Sequence, residues 1–221
     1  MAFIEMVQVS FKYPGQKKTL LHDINLSIRK DGITALTGPN GTGKTTLSKL
    51  MVGILVPSTG YITLKGQKMS GMTLAQIGRW VGYVFQNPEK QLFCPTVAEE
   101  ISFGLQNLEL PGHEVQRLVK ESLAYFELEH LAQSFPLQLS QGEKRRLAIA
   151  AVLALEPELL VLDEPTTGLD AYRKHLLGEC LDKIVTSERG VFMISHDNNF
   201  IKKYASRIIK LENGRLTEYV C

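Results

Sequence analysis

The sequence predicts an α/β fold with a mainly parallel β-sheet, an antiparallel β subdomain near the amino terminus and a helical subdomain, all within one domain covering residues 1–221. The segment Ile33–Thr37 has the character of a short buried strand, and it leads through a glycine-rich loop into apolar residues at helical spacing. Residues 159–162 and 191–194 are continuous apolar runs, which are typical of strands buried on both faces of a parallel sheet. Residues 88–157 carry helical patterns between these strands, which indicates an inserted block of helices.

Length and composition indicate one globular chain. Its 221 residues are 44% hydrophobic and 22% charged, and the formal net charge of +2 favours neither a nucleic-acid partner nor an acidic one. No apolar stretch reaches the roughly 18 residues of a membrane span, and the start has no signal-peptide pattern, so we expect any role at a membrane to depend on docking to another chain. The cysteines are far apart without a Cys-x-x-Cys pair, which predicts free thiols in a reducing compartment. They are Cys94, Cys180 and Cys221.

Two segments rich in β-forming residues predict the antiparallel strands. Residues 3–11 and 20–28 are these segments, and residues 13–16 predict a turn between them. Tyr13 in this turn permits two interpretations, either a half-buried aromatic at a strand end or a flat surface on which a base stacks. Residue type alone favours the structural interpretation.

The loop after Ile33–Thr37 matches the phosphate-loop pattern G-x-x-x-x-G-K-[ST] at every fixed position, from residue 38 to residue 45. Glycines let successive N–H groups turn towards a phosphate, and the helix that follows directs its positive end at the same place. Lys44 adds a cation for the β- and γ-phosphates, and the Thr45 hydroxyl suits Mg²⁺, which prefers oxygen ligands. The sequence therefore predicts a nucleoside triphosphate site, with Gly38, Asn40, Gly41, Gly43, Lys44, Thr45 and Thr46 as binding residues.

The chain beyond the phosphate loop predicts a helix, a turn, a strand and a second, short helix. We expect the first helix over residues 47–55, the turn at residues 57–60 and the strand at residues 61–65. Thr73, followed three residues later by a glutamine, fits a capping box that opens the short helix.

A further buried strand is predicted at residues 80–85, and it ends at a polar residue. Gln86 follows this strand and Pro88 comes soon after. The carboxyl ends of strands are where α/β sheets place groups that contact ligands, but a plain polar strand end fits equally well.

Two helix starts are predicted within the helical block. Thr96 caps one helix and residues 113–126 form another, amphipathic one. Ser140 and Glu143 then form a capping box ahead of a strong helix, and taken alone this interpretation is the favoured one. The alternative is that the same helix start, with the Ser140 hydroxyl and Gly142, binds a phosphate oxygen.

Asp163 and Glu164 follow directly after the apolar run of residues 159–162. Burial of two adjacent carboxylates at a sheet end is costly unless a cation or a proton resides there, so a solvated surface pair is the weaker interpretation. With a phosphate loop in the same chain, Asp163 suits the Mg²⁺ ion and Glu164 suits the orientation and deprotonation of a water molecule.

The last part of the chain predicts a helix, a buried strand and a hairpin. The helix is expected over residues 171–186, and the strand at residues 191–194 leads to His196, which either contacts a γ-phosphate or is a capped strand end. Asn-Gly at residues 213–214 is typical of a two-residue hairpin with a type I′ turn.

Together these stretches resemble the ATP-binding-cassette (ABC) ATPase family over nearly the whole chain. Residues 38–45 are similar to its Walker A loop, residues 139–143 to its signature, and residues 159–164 to its Walker B strand with Glu164 as the catalytic glutamate. Further matches follow the family's order, with Tyr13 at the adenine-stacking position, Gln86 at the Q-loop glutamine, Asp170 in the D-loop and His196 at the switch histidine.

The resemblance implies an ATP hydrolase whose site is shared between two cassettes that pair head to tail. It assigns catalytic roles to Glu164, His196 and Gln86, and Mg²⁺ contacts to Thr45, Gln86 and Asp163. Because of it, Tyr13 and Ser140 are also expected to serve the nucleotide. The expected ATP-binding residues beyond the phosphate loop are Tyr13, Ser140, Gly142 and Asp170.

A narrower resemblance links residues 84–93 and 96–104 to the ATPases of energy-coupling-factor importers, which take up vitamins and transition-metal ions. It implies a transmembrane subunit, an identical or paralogous second cassette, and a peripheral position on the cytoplasmic face of the cell membrane. We expect the apolar side chains of residues 86–103 to leave a docking patch for a helix of that subunit. An exporter ATPase, or a non-transport ABC ATPase, is the alternative.

The signature departs from the family's usual Leu-Ser-Gly-Gly-Gln at two positions. Gln141 replaces a glycine and Glu143 replaces the glutamine. A helix amino terminus favours an acidic side chain, so we expect Glu143 to serve the cap and to point away from ATP.

Overall fold

The computed structural model describes residues 2–108, 110–186 and 188–220, with the backbone alone for residues 218–220. The strands within these ranges are β1 (Ile4–Phe11), β2 (Leu21–Ile28), β3 (Ile33–Thr37), β4 (Thr59–Leu64), β5 (Gln67–Lys68), β6 (Val81–Val84), β7 (Leu159–Asp163), β8 (Gly190–Ile194), β9 (Arg207–Glu212) and β10 (Arg215–Val220). The helices are α1 (Lys44–Met51), α2 (Leu74–Gly78), α3 (Val97–Gln106), α4 (Gly112–Tyr125), α5 (Gln141–Leu153), α6 (Ala171–Thr186) and α7 (Asn198–Tyr204). Short 3-10 turns, among them Pro88–Lys90, lie between them.

Within the described residues the strands form two sheets. The larger has the order β10-β9-β3-β8-β7-β6, and all its neighbours are parallel except β10, which pairs antiparallel with β9. The smaller sheet has the order β2-β1-β4-β5 and is antiparallel. The predicted α/β fold with a mainly parallel sheet and an antiparallel β unit is therefore confirmed.

The parallel strands are buried because helices and the second sheet cover both of their faces. Every residue of β7 and β8 is buried, as their continuous apolar runs predict. One apolar core lies between the antiparallel sheet, α1 and the parallel sheet, and a second core joins the other face of the parallel sheet to α5 and α6. This packing holds the carboxyl ends of β3, β6, β7 and β8 along one edge of the sheet.

The predicted boundaries of α1 and β4 are wrong by a few residues. Helix α1 ends at Met51 and not at residue 55, because the backbone turns at Gly53, whose φ is +74°. Strand β4 begins at Thr59, inside the predicted turn, and Gly60 allows this at a φ of +76°, where a Cβ would lie 2.3 Å from the carbonyl oxygen of Gln8.

The strand predicted at residues 80–85 is shorter than expected. It spans only Val81–Val84, and Trp80 lies outside it with 38% of its surface exposed. The Trp80 indole is covered by the ammonium group of Lys65, 3.7 Å from the ring centroid. A cation over an aromatic face explains how this large side chain remains at the surface.

The predicted caps of α2 and α3 and the predicted hairpin turn are present. Thr73 forms a capping box with the glutamine at N3, and the Thr96 hydroxyl accepts a hydrogen bond from the N–H of Glu99 at 3.1 Å. Asn213 and Gly214 both have positive φ, +51° and +72°, as a type I′ turn requires.

Two further sequence predictions concern cysteines and membrane spans. Cys94 and Cys180 are buried free thiols, and Cys221 lies outside the described residues. None of the helices in the described ranges combines the length and the apolar character that crossing a bilayer requires.

Candidate nucleotide site

A cavity of about 570 Å³ opens at the carboxyl-end edge of the parallel sheet. The loop after β3, the start of α1 and the ends of β6, β7 and β8 all contribute to its wall, which is the position where α/β sheets bind ligands. Ten residues predicted from the sequence line it, namely Asn40, Gly41, Gly43, Lys44, Thr45, Thr46, Gln86, Asp163, Glu164 and His196.

Two glycines give the phosphate loop its shape. Gly38 has a φ of +143°, and a Cβ at this position would lie 2.1 Å from the carbonyl oxygen of Leu211. Gly43 has a φ of +103° and directly precedes α1, where a Cβ would meet the Leu21 side chain at 2.9 Å. Only glycine fits both positions, so the loop can close around a ligand and α1 can direct its N–H groups at it.

Lys44 is the cation of the cavity and is held by the loop itself. Its Nζ donates to the carbonyl oxygens of Gly38 at 2.8 Å and Pro39 at 3.0 Å. Burial lowers the pKa of Lys44, while the nearby carboxylates of Glu164 and Asp163 raise it. The two carbonyl bonds keep the ammonium group next to the space that a phosphate would fill.

Asp163 is a buried carboxylate without a proper hydrogen-bond partner. It is 1% exposed, and neither of its oxygens accepts a hydrogen bond of normal geometry. Burial raises the pKa of Asp163, whereas the Thr45 hydroxyl and the cations of Lys49 and Lys44 lower it. An unsatisfied buried carboxylate beside a threonine hydroxyl is the donor set that Mg²⁺ takes, so these residues fit the ion.

A pair of partly buried hydroxyl groups lies behind Thr45 and Asp163. The hydroxyls of Tyr83 and Ser48 lie 3.1 Å apart, and the Ser48 hydroxyl donates to the carbonyl oxygen of Thr45 at 2.9 Å. Burial raises the pKa of Tyr83, and Asp163 raises it further. Tyr83 and Ser48 therefore connect the backbone of Thr45 with the surroundings of Asp163.

Glu164 sits in a strained backbone conformation directly after β7. It is 8% exposed, and its φ is +54°, which for a residue other than glycine costs of order 1–3 kcal/mol. Its carboxylate lies 3.3 Å from Nε2 of His196. Burial raises the pKa of Glu164, His196 lowers it, and Asp163 raises it further. A carboxylate with a raised pKa that faces the cavity is suited to accept a proton from water.

Arg145 holds the main chain behind two of the predicted catalytic residues. This arginine of α5 is 6% exposed, and it donates to the carbonyl oxygen of Gln86 at 2.8 Å and to that of Glu164. The second bond fixes the strained residue from behind. Sequence reasoning missed Arg145, because an arginine that binds backbone carbonyls leaves no partner side chain to recognise.

Five of the predicted nucleotide-binding residues are not part of the cavity lining, and one of them is Gly38, whose carbonyl oxygen binds Lys44. The Tyr13 hydroxyl is 3.0 Å from that of Thr46, and its ring packs edge-on against Phe11. Ser140 and Gly142 lie at the start of α5, where Ser140 is exposed. The carboxylate of Asp170 binds Arg173 at the start of α6. Their contact with a nucleotide remains a prediction.

The structure adds cavity residues that the sequence reasoning did not name. Leu20, Thr167 and Ile194 line the cavity beside the predicted residues. Thr167 lies close after Glu164 in the chain, so the turn signal of that loop could have pointed to it. Leu20 and Ile194 have only the apolar character of strand residues and gave no such signal.

The departure at residue 143 has a structural role, as predicted. The Glu143 carboxylate accepts hydrogen bonds from the N–H of Ser140 at 2.8 Å and from its hydroxyl at 2.7 Å. The Ser140 side chain in turn accepts from the N–H of Glu143 at 3.4 Å. This is a complete capping box, and the prediction that Glu143 serves the cap is confirmed.

The family model described as "ABC transporter" matches residues 21–167. The energy-coupling factor transporter ATP-binding protein EcfA of Methanocaldococcus jannaschii is 37% identical over 98% of this chain and 78% of its own length. The chain also matches three ATP-binding proteins of Methanosarcina species at 37% to 41% identity, but it spans only 31% to 40% of their length.

Two solved structures share the fold over almost all of this chain. CbiO1 of Clostridium perfringens, described as part of the ABC transporter complex cbiONQ, has a TM-score of 0.83 at 32% identity, with 98% of this chain and 87% of that chain covered. The ATP-binding cassette MJ0796, solved as a dimer in a post-hydrolysis state with ADP and Pi, has a TM-score of 0.89 at 26% identity, with 98% of both chains covered.

Proposed function

The chain belongs to the ABC transporter family, and from this premise we propose that it is the ATP-hydrolysing subunit of a membrane importer of the energy-coupling-factor type. Its cargo is a vitamin or a transition-metal ion, and it works as a peripheral protein on the cytoplasmic face of the membrane. The likeness to EcfA and CbiO1 supports the importer class. The observation that best supports ATP hydrolysis is the cavity, which is lined by Lys44, Asp163, Glu164 and His196.

Each of these side chains has a separate role in the hydrolysis of ATP. Lys44 and the loop N–H groups bind the β- and γ-phosphates of ATP, and Glu164 accepts a proton from the attacking water. His196, 3.3 Å from Glu164, orients that carboxylate and contacts the γ-phosphate. Gln86 faces the same space from the end of β6 and reports the presence of the γ-phosphate to the segment that follows it.

Asp163, Thr45 and Gln86 are the residues that would hold Mg²⁺. The ion supplies charge neutralisation at the phosphate oxygens. Asp163 and Thr45 offer it a buried carboxylate without hydrogen-bond partners and a hydroxyl at the start of α1. Gln86, which lines the same cavity, would add its amide oxygen.

Two cassettes pair head to tail around ATP in this proposal. The phosphate loop of one subunit faces Ser140 and Gly142 of the other, and Asp170 contacts the partner across the same interface. The exposure of Ser140 at the start of α5, away from its own cavity, supports this arrangement. Tyr13 stacks on the adenine, with its hydroxyl anchored by Thr46.

The transmembrane subunit docks beside Gln86. Of the apolar side chains after this residue, Leu92, Val97 and Ile101 are buried in the core. Phe93 and Phe103 are 64% and 48% exposed, and their rings contact each other edge to face with centroids 4.9 Å apart. An exposed aromatic pair on the segment that follows the proposed γ-phosphate sensor suits a helix from a membrane subunit.

The experiment is the purification of tagged protein from solubilised membranes of its own cells, comparing Phe93→Glu with the unmutated chain. We expect Phe93→Glu to lose the membrane partner and the cargo uptake while ATP binding by the isolated subunit is retained, because a charge in an apolar contact prevents docking. Trp80→Glu is the matched control, since it places the same charge at another exposed aromatic side chain, directly before β6. An undisturbed complex in Phe93→Glu would overturn the docking assignment.

A further inference from the structure

Glu89 lies where the segment after Gln86 meets the start of α5. It belongs to the 3-10 turn Pro88–Lys90, and its N–H donates to the Asn87 side chain at 3.0 Å. This bond and the short turn keep Glu89 in a defined position relative to Gln86. The Glu89 carboxylate reaches across to the first turn of α5.

Two side chains of α5 share one oxygen of this carboxylate. The amide of Gln141 donates to Oε1 of Glu89 at 3.0 Å, and the ammonium group of Lys144 donates to the same atom at 2.6 Å. The Lys144 side chain is 7% exposed and the Glu89 side chain 42%, so the cation is buried while the carboxylate stays in contact with water. The hydrogen bonds from Lys144 and then Gln141 lower the pKa of Glu89, which is therefore charged at neutral pH.

Arg145 makes a second, independent connection between the same two elements. It is the next residue along α5, and its buried guanidinium donates to the carbonyl oxygen of Gln86 at 2.8 Å. The start of α5 thus binds the segment from Gln86 to Glu89 at both of its ends. Separation of the two elements would leave buried cations without their hydrogen-bond partners, which is costly. We therefore expect the start of α5 and the segment from Gln86 to Glu89 to move together.

We infer that Glu89, Gln141 and Lys144 form a clamp that fixes the start of α5 to the Gln86 segment of the same subunit. Gln141 is a positioning residue in this clamp, and its replacement of the usual glycine is what allows it to reach Glu89. The inference rests on the proposed function, because it is Gln86 that faces the subunit's own ATP and Ser140 that faces the partner's ATP. Through the clamp, ATP bound beside Gln86 of one subunit sets the position of Ser140 in the same subunit. Ser140 in turn completes the ATP site of the partner.

Hydrogen exchange on the dilute, monomeric chain tests the clamp without a dimer. A non-hydrolysable ATP analogue with Mg²⁺ is added to the unmutated chain and to Glu89→Ala, and protection is compared at residues 38–45 and 140–146. We expect protection at both places in the unmutated chain. In Glu89→Ala we expect unchanged protection at residues 38–45 and a roughly threefold smaller change at residues 140–146, because only the bond from Arg145 to Gln86 then connects that region to the segment.

Lys144→Met provides a second variant with the same expectation. Arg117→Met is the matched control, since it removes ion pairs with Glu114 and Glu121 on α4 that do not touch the clamp. A full response of residues 140–146 in both Glu89→Ala and Lys144→Met would overturn the clamp while leaving ATP binding in place. Absence of protection at residues 38–45 in the unmutated chain would overturn the proposed function, and the inference with it.

A double-mutant cycle separates the clamp from direct contact between Gln141 and ATP. Gln141→Gly, Glu89→Ala and the double variant are compared by the dependence of ATPase rate on ATP concentration. If Gln141 acts through Glu89, both single variants lower the Hill coefficient towards one and the double variant lowers it no further, since coupled residues are not additive. Additive effects would show that Gln141 acts apart from Glu89 and would overturn its role.

Discussion

At the scale of single residues, the cavity concentrates three buried charged side chains, one of which has no hydrogen-bond partner. Lys44, Asp163 and Glu164 are each less than a tenth exposed, and the Asp163 oxygens accept no proper hydrogen bond. Unsatisfied buried groups destabilise a folded chain by about 1–3 kcal/mol each. Such a cost is expected where a protein holds charges ready for a ligand, so removal of a charge should stabilise the ligand-free chain while abolishing its function.

Asp163→Asn tests this relation between stability and function. In EDTA at neutral pH we expect the free energy of unfolding of the variant to be higher by about 1–3 kcal/mol, because an uncompensated buried carboxylate is removed. The variant then unfolds at a higher urea concentration. Burial raises the pKa of Asp163, so the folded wild type binds a proton more readily than the unfolded chain. The advantage of the variant is therefore complete above the raised pKa and is lost as the pH falls through it.

The control for this comparison is Asp31→Asn. The Asp31 side chain is 57% exposed and pairs with Arg29 at the surface, so its removal should leave stability within about 0.5 kcal/mol at every pH. If Asp163→Asn were less stable than the wild type in EDTA, the carboxylate would be a structural group, and its assignment to Mg²⁺ would lose its physical basis.

Residue roles were predictable where a side chain follows a recognisable pattern, and not where it binds the main chain. The phosphate loop and the paired carboxylates stand out in the sequence, because few other structures need glycines and acids at those positions. The contacts of Arg145 with two carbonyl oxygens and of Tyr83 with Ser48 depend on which distant segments meet. A single sequence does not contain that information.

At the scale of elements, α5 combines a structural cap with a surface that faces the proposed partner. The cap of Glu143 on Ser140 and the clamp of Gln141 and Lys144 on Glu89 occupy different sides of the same first turn. The two departures from the usual signature therefore have separate explanations. One stabilises the helix, and the other connects it to the Gln86 segment.

Glu143→Gln should affect stability more than catalysis. A glutamine can still reach back to Ser140, but the negative charge at the helix amino terminus is lost, which costs about 0.3–1 kcal/mol of unfolding free energy. ATPase turnover should change little, because the Glu143 carboxylate binds Ser140 within the cap. The measurements are urea unfolding and steady-state turnover, with Glu121→Gln on α4 as an exposed control. A tenfold gain in ATPase activity would show that the charge opposes ATP binding and would contradict the cap assignment.

The existence and order of the elements followed from hydrophobic patterns, whereas their ends did not always do so. The buried run that became β7 and the Asn-Gly hairpin turn were predictable because period and turn chemistry agree there. The strand expected to include Trp80 begins only after it, at Val81, and the Trp80 indole lies under the Lys65 ammonium group at the surface. That contact joins residues 15 positions apart in the chain, both outside the strands, and has no local signal.

At the scale of the whole molecule, the proposed ATPase cycle requires each chain to contribute residues to two ATP sites, its own and that of its partner. The cavity holds the phosphate loop, Asp163, Glu164 and His196, while Ser140 lies apart from it. ATP binding is then coupled to the closure of two cassettes, and hydrolysis to their reopening. In the proposed cycle, the exposed pair Phe93 and Phe103 transmits this motion to the membrane subunit.

The measurement that tests the central claim most directly is single-turnover hydrolysis of bound ATP by Glu164→Gln, with ATP affinity measured on the same sample. We expect ATP to bind with nearly unchanged affinity and its hydrolysis to slow by on the order of 10²-fold or more, since the amide cannot accept the proton from water. Lys44→Ala is the contrasting variant and should weaken ATP binding itself, because the phosphates lose their cation. Hydrolysis at nearly the wild-type rate in Glu164→Gln would contradict the assignment of this cavity's chemistry.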